Sequence, residues 1–284
     1  MKRRVGIGIL VSALLLGGCG LGGGEQGKPD SEGRTASAPG EPTPDETEDL
    51  VDEEALPIGH CGKAPDAFDD QMVYAGSKET DCREGMEILT ALANGEDDDS
   101  NSVAGHGTSV RDWSCAFPMD NEVTDYAVTL FCEKGPQQIF VRPASLTVPA
   151  GYHVQPWDYG SPPNGLYFTT ESRKHHCNFN EGMLGCDNFN FPDDLPEVSY
   201  MGQRQQPTAL VLESTGEPRF EVYGDPAFTQ YSDSGEWGAD TKVLGYGQLL
   251  IAYGIACTTD PDRGVVCANG QHGFEISSKR YAMS

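Results

Sequence analysis

The chain has 284 residues, of which 44 are Asp or Glu and 19 are Lys or Arg, so its formal net charge is -25 at pH 7. A chain with this charge repels phosphate backbones, and we therefore expect no nucleic-acid partner. Apolar residues make up 37% of the chain, which is below the usual share in a globular protein because a long polar segment dilutes the folded part.

The first residues carry the pattern of an export signal. Basic residues at positions 2–4 precede an uncharged apolar run over residues 5–16, which is too short to span a bilayer as a mature helix. The run ends in Leu16-Gly17-Gly18-Cys19, which resembles the lipobox of bacterial lipoproteins. The resemblance implies that residues 1–18 are a signal peptide and that Cys19 carries diacylglycerol and a further acyl chain such as palmitate.

This lipid is expected to anchor the protein. Each buried methylene contributes about 0.8 kcal/mol, so two or three acyl chains give durable attachment. We therefore expect the membrane as a partner and a location on the outer face of the cell membrane. The alternative is an ordinary secretory peptide in which the cysteine at position 19 is incidental.

Residues 19–57 are predicted to form a disordered, acidic tether. They consist mainly of Gly, Pro, Ser, Thr and acidic residues, which bury too little apolar surface to offset the entropy of ordering. A flexible segment of this kind spans roughly 30–35 Å on average. The tether would lift the folded part of the chain off the membrane.

Eight cysteines remain after Cys19, an even number in an exported and therefore oxidising context. The sequence alone leaves many connectivities open. The cysteines fall into two groups of four on either side of a Pro- and Gly-rich stretch, which predicts two domains with two disulfides each. The eight are Cys61, Cys82, Cys115, Cys132, Cys177, Cys186, Cys257 and Cys267.

Residues 58–143 are predicted to form a small α+β domain. Thr80 and Asp81 can cap a helix, and Glu84 follows three positions after Asp81 as in a capping box. Apolar residues then recur at helical spacing up to Asn94-Gly95. Strands are predicted over residues 109–117, 126–131 and 138–141. The favoured disulfides are Cys61–Cys82 at the start of the helix and Cys115–Cys132 between neighbouring strands.

Residues 144–164 are predicted to connect this domain to a mainly antiparallel, all-β domain over residues 165–284. The second domain contains several short strand candidates separated by turn residues, and it shows no long helix. Its cysteines are spaced as in two disulfide-bridged hairpins, Cys177–Cys186 and Cys257–Cys267. The fold class expected for the chain is therefore α+β.

Several motifs follow in order through the second domain: Gly185-Cys186, Leu244-Gly245-Tyr246-Gly247, Gly264-Val265-Val266-Cys267 and His272-Gly273-Phe274. This order resembles a cysteine-containing domain of unknown function that is common in secreted proteins and lipoproteins of actinobacteria. The resemblance implies the fold but no activity, since that family has no assigned activity. Two features depart from the family, namely the opening turn over residues 169–174 and a missing central cysteine pair.

Gly105-His106-Gly107-Thr108-Ser109-Val110 resembles the histidine segment of subtilisin-like proteases, in which the histidine is a general base. That chemistry needs a serine in a turn before a helix, and no such turn follows in the sequence. We therefore interpret the segment as a glycine-rich loop before a strand and assign no catalytic residue.

Metal sites are also not predicted. His175-His176-Cys177 contains zinc- and copper-binding residue types, but neighbouring residues of a strand point to opposite faces and Cys177 is expected in a disulfide. The acidic residues at 97–99 and 187–194 lack the glycine and the final glutamate of an EF-hand loop, so we interpret both stretches as solvated loops of an acidic protein. We expect neither a metal nor a cofactor.

His272 remains a candidate for a residue that lines a ligand site. The expected function is a non-catalytic binding or interaction module of the actinobacterial cell envelope, with an unidentified envelope component as its partner. The alternative is an envelope hydrolase that uses carboxylates and His272. A buried, convergent pair of ionisable groups would favour the enzyme, and exposed aromatic side chains would favour binding.

Overall fold

The computed structural model describes residues 56–96, 107–146, 148–161 and 164–284. The predicted signal peptide, Cys19, nearly all of the predicted tether, the acidic residues 97–99 and His106 lie outside the described residues. A search of the described part for a helix with the length and apolar character of a membrane span found none.

Short β-strands make up most of the regular structure. In chain order they are β1 (His60–Lys63), β2 (Gln71–Ala75), β3 (Gly107–Val110), β4 (Trp113–Ala116), β5 (Leu130–Lys134), β6 (Gln137–Pro143), β7 (Tyr152–His153), β8 (Gly160–Ser161), β9 (Gly165–Thr169), β10 (His176–Asn180), β11 (Met183–Asp187), β12 (Val198–Tyr200), β13 (Gln203–Gln205), β14 (Ala209–Glu213), β15 (Arg219–Glu221), β16 (Gln248–Ala252), β17 (Ile255–Asp260), β18 (Gly264–Ala268), β19 (Gly273–Ile276) and β20 (Tyr281–Met283). The described residues also contain two α-helices, α1 (Cys82–Ala93) and α2 (Asp120–Tyr126).

The expected α+β class is therefore wrong. The described residues are mostly β-strand in several antiparallel sheets, and the two helices are minor elements. The sequence predicted helix α1 but neither β1 nor β2, because these two strands show little alternation of apolar and polar residues. Residues 126–131, predicted as a strand, contain the end of α2 and the start of β5.

The first sheet joins six antiparallel strands in the order β1-β2-β6-β5-β4-β3. Helix α1 covers one of its faces. Ile88 and Leu89 of the helix are buried there in one cluster with Trp113 and Ile139 of the sheet. The opposite face of the sheet is buried as well, so the sheet forms a middle layer.

Of the two predicted cap residues, Thr80 and Asp81, Asp81 is the N-cap of helix α1. The Asp81 carboxylate accepts hydrogen bonds from the backbone N–H groups of Arg83 (2.9 Å) and Glu84 (3.2 Å). Glu84 does not complete the predicted capping box, because its carboxylate accepts hydrogen bonds from Lys134 Nζ (2.8 Å) and Trp113 Nε1 (3.3 Å). These hydrogen bonds, above all that from Lys134, lower the pKa of Glu84 to about 2.

The second and third sheets repeat one pattern. Their strand orders are β15-β14-β11-β10-β9-β8 and β20-β19-β18-β17-β16-β7, so each is a five-stranded meander with a two-residue strand beside its first strand. The pairing is antiparallel except for β7, which runs parallel to β16. The separate hairpin β12–β13 lies in the connection between β11 and β14.

The described residues contain four disulfides, and their pairing is the predicted one. Cys61–Cys82 ties β1 to the start of α1. The other three each join residues that lie directly opposite each other on neighbouring antiparallel strands, one in each six-stranded sheet. They are Cys115–Cys132, Cys177–Cys186 and Cys257–Cys267.

One hydrophobic core connects the three sheets. The second and third sheets pack their inner faces together, and the face of the first sheet opposite α1 joins the same cluster. The predicted connector, residues 144–164, supplies β7 to the third sheet and β8 to the second. The predicted domain limits of 58–143 and 165–284 stay predictions. Side chains in the shared core include Tyr74, Phe131, Phe140, Phe168, Phe179, Leu184, Leu250, Val265 and Ile276.

Polar side chains are buried where the first and third sheets meet. His153 of β7 is fully buried and stacks on Tyr74 of β2, with ring centroids 4.2 Å apart. Neither of its ring nitrogens has a hydrogen-bond partner in the described part of the chain. Arg142 of β6 is also fully buried and donates from Nη1 to the backbone oxygen of Tyr126 (2.6 Å). Burial, the charge of Arg142 and the proximity of His60 hold the pKa of His153 well below its usual value.

We expect the protein to lose stability as the pH falls below about 6.5, in part because of His153. The unfolded chain protonates this histidine near its ordinary pKa, whereas the folded protein keeps it neutral, so the unfolded state binds more protons. The loss is about 1.4 kcal/mol per pH unit for one such group until the folded pKa is reached. Urea unfolding at about pH 7 and about pH 5 should show a smaller difference for His153→Phe than for the wild type.

Phe140→Leu is the matched control. The Phe140 ring lies 6.0 Å from the His153 ring but does not titrate, so this change should lower the free energy of unfolding equally at both pH values. Burial also lowers the pKa of His175, to about 4, and this contribution remains in every variant. Equal pH dependence in the wild type and His153→Phe would contradict the prediction.

Candidate binding surface

Residues 225–241 cross the face of the second sheet that points away from the shared core, and Asp187 holds the start of this segment. Asp187 ends β11 and is buried. Its Oδ1 accepts a hydrogen bond from the backbone N–H of Ala227 (3.1 Å). Its Oδ2 accepts from the N–H of Phe228 (2.9 Å) and from Thr229 Oγ1 (2.6 Å). The sequence placed Asp187 in a solvated acidic loop, and it is instead a buried acceptor.

Phe228 seats the segment on the sheet. Its side chain is buried with Ala209 and Val211 of β14, and its ring lies edge-on to Tyr223 with centroids 5.2 Å apart. The ring also occupies the space above Gly185 of β11, where an added Cβ would lie 2.1 Å from Phe228 Cε1. Glycine at position 185 is therefore required for this contact.

The segment then forms a tight turn over residues 230–238, which we call the aromatic hairpin. The N–H of Gly238 donates to the backbone oxygen of Gln230 (2.7 Å), and the N–H of Ser232 donates to that of Glu236 (2.9 Å). Ser232 Oγ accepts a further hydrogen bond from the N–H of Glu236 (3.1 Å). These hydrogen bonds fix the backbone of the turn.

Two exposed aromatic rings stand opposite each other on the aromatic hairpin. Tyr231 and Trp237 form an antiparallel bridge, and their ring centroids are 4.9 Å apart in an edge-to-face arrangement. Tyr231 is 59% exposed and Trp237 is 49% exposed. Large aromatic side chains usually bury most of their surface, so this pair presents apolar surface that the fold itself does not cover.

His176 connects the aromatic hairpin to a third exposed ring. An added Cβ at Gly238 would lie 2.4 Å from His176 Cε1, so the histidine packs directly on the hairpin backbone. On its other side the ring meets Phe189 edge-on at 6.1 Å, and Phe189 is 50% exposed. Burial lowers the pKa of His176, and its contact with the backbone oxygen of Arg173 partly opposes this.

Phe189 lines a small cleft, which we call the Phe189 cleft. Its volume is about 180 Å³. One wall is fixed by two hydrogen bonds between Thr208 Oγ1 and the backbone of Tyr223. The Tyr223 hydroxyl donates to Glu221 (2.7 Å), and burial together with this hydrogen bond raises the pKa of Tyr223 to about 12. The lining residues are Asp187, Asn188, Phe189, Thr208, Tyr223, Gly224, Asp225 and Pro226.

The segment that crosses the sheet carries acidic side chains, and the basic residue Arg173 lies beside it, where its Nη1 donates to the backbone oxygen of Ala239 (3.5 Å). Residues 225–240 contain four exposed acids and neither Lys nor Arg. None of the four forms an ion pair within the described residues. The next basic residue, Lys242, is held by Asp158 at 2.7 Å. The four acids are Asp225, Asp233, Glu236 and Asp240.

His272, the ligand-lining candidate from the sequence, lies elsewhere. It belongs to the turn between β18 and β19, where its backbone N–H donates to Asn269 Oδ1 (2.9 Å). The described residues that line the adjoining depression of about 330 Å³ include no Asp or Glu. The structure therefore brings no acidic side chain to His272 in this depression. The other lining residues are Val148, Pro149, Ala268, Gly270, Gln271, Gly273 and Ser284.

The neighbouring His175 and His176 have separate surroundings. His175 is buried with its ring 6.0 Å from Phe191, whereas His176 packs against Gly238 and Phe189. Within the described residues, no group of three or more His, Cys, Asp or Glu side chains is arranged to hold a metal ion.

Comparisons with protein-family models, with curated proteins and with solved structures found no match to this chain. The resemblances to bacterial lipoproteins and to the actinobacterial secreted domain therefore stay predictions from the sequence.

Gly185→Ala should destabilise the protein, because the new methyl group meets the Phe228 ring. Overpacking of this kind costs about 1–3 kcal/mol, measured as a lower free energy of unfolding in urea. Adding Phe228→Leu should recover part of the loss by freeing space for the methyl group.

Gly224→Ala is the matched control, since a Cβ there meets no atom within 4 Å. It should leave the free energy of unfolding close to that of the wild type. Equal stability of the Gly185→Ala and Gly224→Ala variants would show that the Phe228 ring does not pack against Gly185 of β11.

Proposed function

We propose that this protein is a lipid-anchored binding module on the outer face of the cell membrane, which binds an envelope component without catalysing a reaction. Its binding surface consists of the aromatic hairpin, Phe189 and the Phe189 cleft. The observation that carries this proposal is the exposed Tyr231–Trp237 pair on a hydrogen-bonded turn.

The Tyr231 and Trp237 rings are suited to binding a partner for two reasons. Tyr and Trp are enriched at the centres of protein interfaces, where they supply a large part of the binding energy. They also have only two side-chain torsions, so little entropy is lost when a partner covers them. Because Tyr231 and Trp237 already contact each other, their rings are partly ordered before binding.

The alternative, an envelope hydrolase that uses carboxylates and His272, has no comparable support. Acid–base hydrolysis needs ionisable groups that converge on one substrate. Among the described residues, those that line the depression at His272 supply no Asp or Glu side chain. The acids of the aromatic hairpin, Asp233 and Glu236, are exposed and lie outside that depression.

Trp237→Ala and Tyr231→Ala should each weaken binding to isolated cell envelopes by at least about tenfold, as expected for a central interface residue. The measurement is cosedimentation of the purified protein with cell envelopes from which the native copies of the protein have been removed. Met201→Ala is the matched control, because Met201 is 87% exposed but lies on the separate β12–β13 turn. Unchanged sedimentation of both aromatic variants would overturn the assignment of this surface.

Cys19→Ala should move the protein out of the membrane fraction, because the variant lacks the side chain to which the lipid is attached. Fractionation of cells followed by immunoblotting checks this, with Cys61→Ala as a control that removes a disulfide cysteine and keeps the anchor. A Cys19→Ala protein that is still acylated and membrane-bound would show that the anchor lies elsewhere.

A further inference from the structure

The Phe189 cleft has the size of a site for one side chain. Its volume of about 180 Å³ is below the roughly 300–1,000 Å³ of pockets that enclose a drug-sized ligand. The cleft therefore suits the end of one side chain that belongs to a larger partner.

Aromatic and apolar groups form part of its walls. Phe189 is 50% exposed, and Tyr223 and Pro226 also line the cleft. Aromatic rings attract cations through the negative charge of their faces. Apolar walls also accommodate the methylene stem of a long cationic side chain while its charged end reaches a polar group.

The charged residues that line the cleft are acids. Asp225 is exposed, and its carboxylate has neither a hydrogen bond nor an ion pair with any described residue. The buried carboxylate of Asp187 accepts hydrogen bonds from three neutral donors and forms no ion pair with any Lys or Arg among the described residues. Glu221, beside the cleft, is paired with Arg219 and adds little net charge.

We propose that the Phe189 cleft binds the ammonium group of a lysine side chain on a protein partner. The lysine stem lies along the apolar wall that includes Phe189 and Pro226, and its ammonium group donates to Asp225. An anionic ligand is disfavoured by the two acids, and a neutral apolar side chain leaves Asp225 without a partner. This inference rests on the proposed binding function and specifies the chemistry of the partner.

The test uses the full chain in detergent micelles and three short, capped peptides that differ only in a central lysine, norleucine or acetyl-lysine. Binding is followed by isothermal titration at low and at physiological salt. The lysine peptide should bind at least tenfold more tightly than the other two, which keep the apolar stem but lose the charge. Asp225→Asn should weaken lysine-peptide binding at least tenfold, and Phe189→Leu should weaken it severalfold.

Asp66→Asn is the matched control, because it removes the same charge from an exposed residue between β1 and β2, outside the proposed binding surface. It should change the affinity for the lysine peptide by less than twofold. Equal losses in Asp225→Asn and Asp66→Asn would show general attraction to an acidic protein and overturn the proposal, as would equal binding of the three peptides. Trp237→Ala separates the two claims, since it should reduce envelope binding and leave lysine-peptide binding intact.

Discussion

Strand register is the constraint on which this structure depends, and three buried cross-strand disulfides fix it. The strands are short, and side chains alternate between the two faces of each sheet. A slip of one residue would therefore move core side chains into solvent and polar ones into the core. Each of the three bonds joins directly opposite residues whose Cα atoms are 4.0, 4.1 and 4.2 Å apart. In each sheet the bonded strands lie at or next to the centre, so the register of the outer strands follows from theirs.

The Cys177–Cys186 disulfide of the second sheet positions the candidate binding surface. Cys177 and Cys186 are buried in the shared core. Their neighbours on the two strands, His176 and Asp187, therefore project to the opposite face. These two residues are themselves a directly opposite pair. Asp187 holds the start of the crossing segment, and His176 packs against the aromatic hairpin at Gly238. The disulfide on the core face of the sheet therefore fixes the positions of His176 and Asp187, which hold the candidate binding surface on the opposite face.

Sequence patterns predicted the features that depend on near neighbours in the chain. The spacing of Cys177 and Cys186 indicated a bridged hairpin, and Asp81 indicated the start of α1, because both signals are local. The candidate binding surface was missed because its signal is not local. Tyr231 and Trp237 flank a polar turn, and only tertiary burial distinguishes exposed rings from core rings. Likewise, Asp187 was interpreted as one of several solvated acids, since nothing in its neighbourhood in the sequence shows the three donors from residues 227–229.

The net charge of the chain and the Phe189 cleft have different consequences for recognition. A net charge of -25 attracts every cation, and salt screens this attraction beyond about 8–10 Å. The net charge therefore raises the rate of encounter without distinguishing partners.

Discrimination among partners must come from groups in direct contact with the ligand. In the proposed lysine site, Asp225 would distinguish a charged end from a neutral one, and the wall containing Phe189 would distinguish a long side chain from a free ion. The exposed pair on the aromatic hairpin contributes apolar contact area that salt leaves unchanged. Under the proposed function, envelope binding that persists at physiological salt therefore depends on the rings of the aromatic hairpin, and the choice among partners depends on the Phe189 cleft.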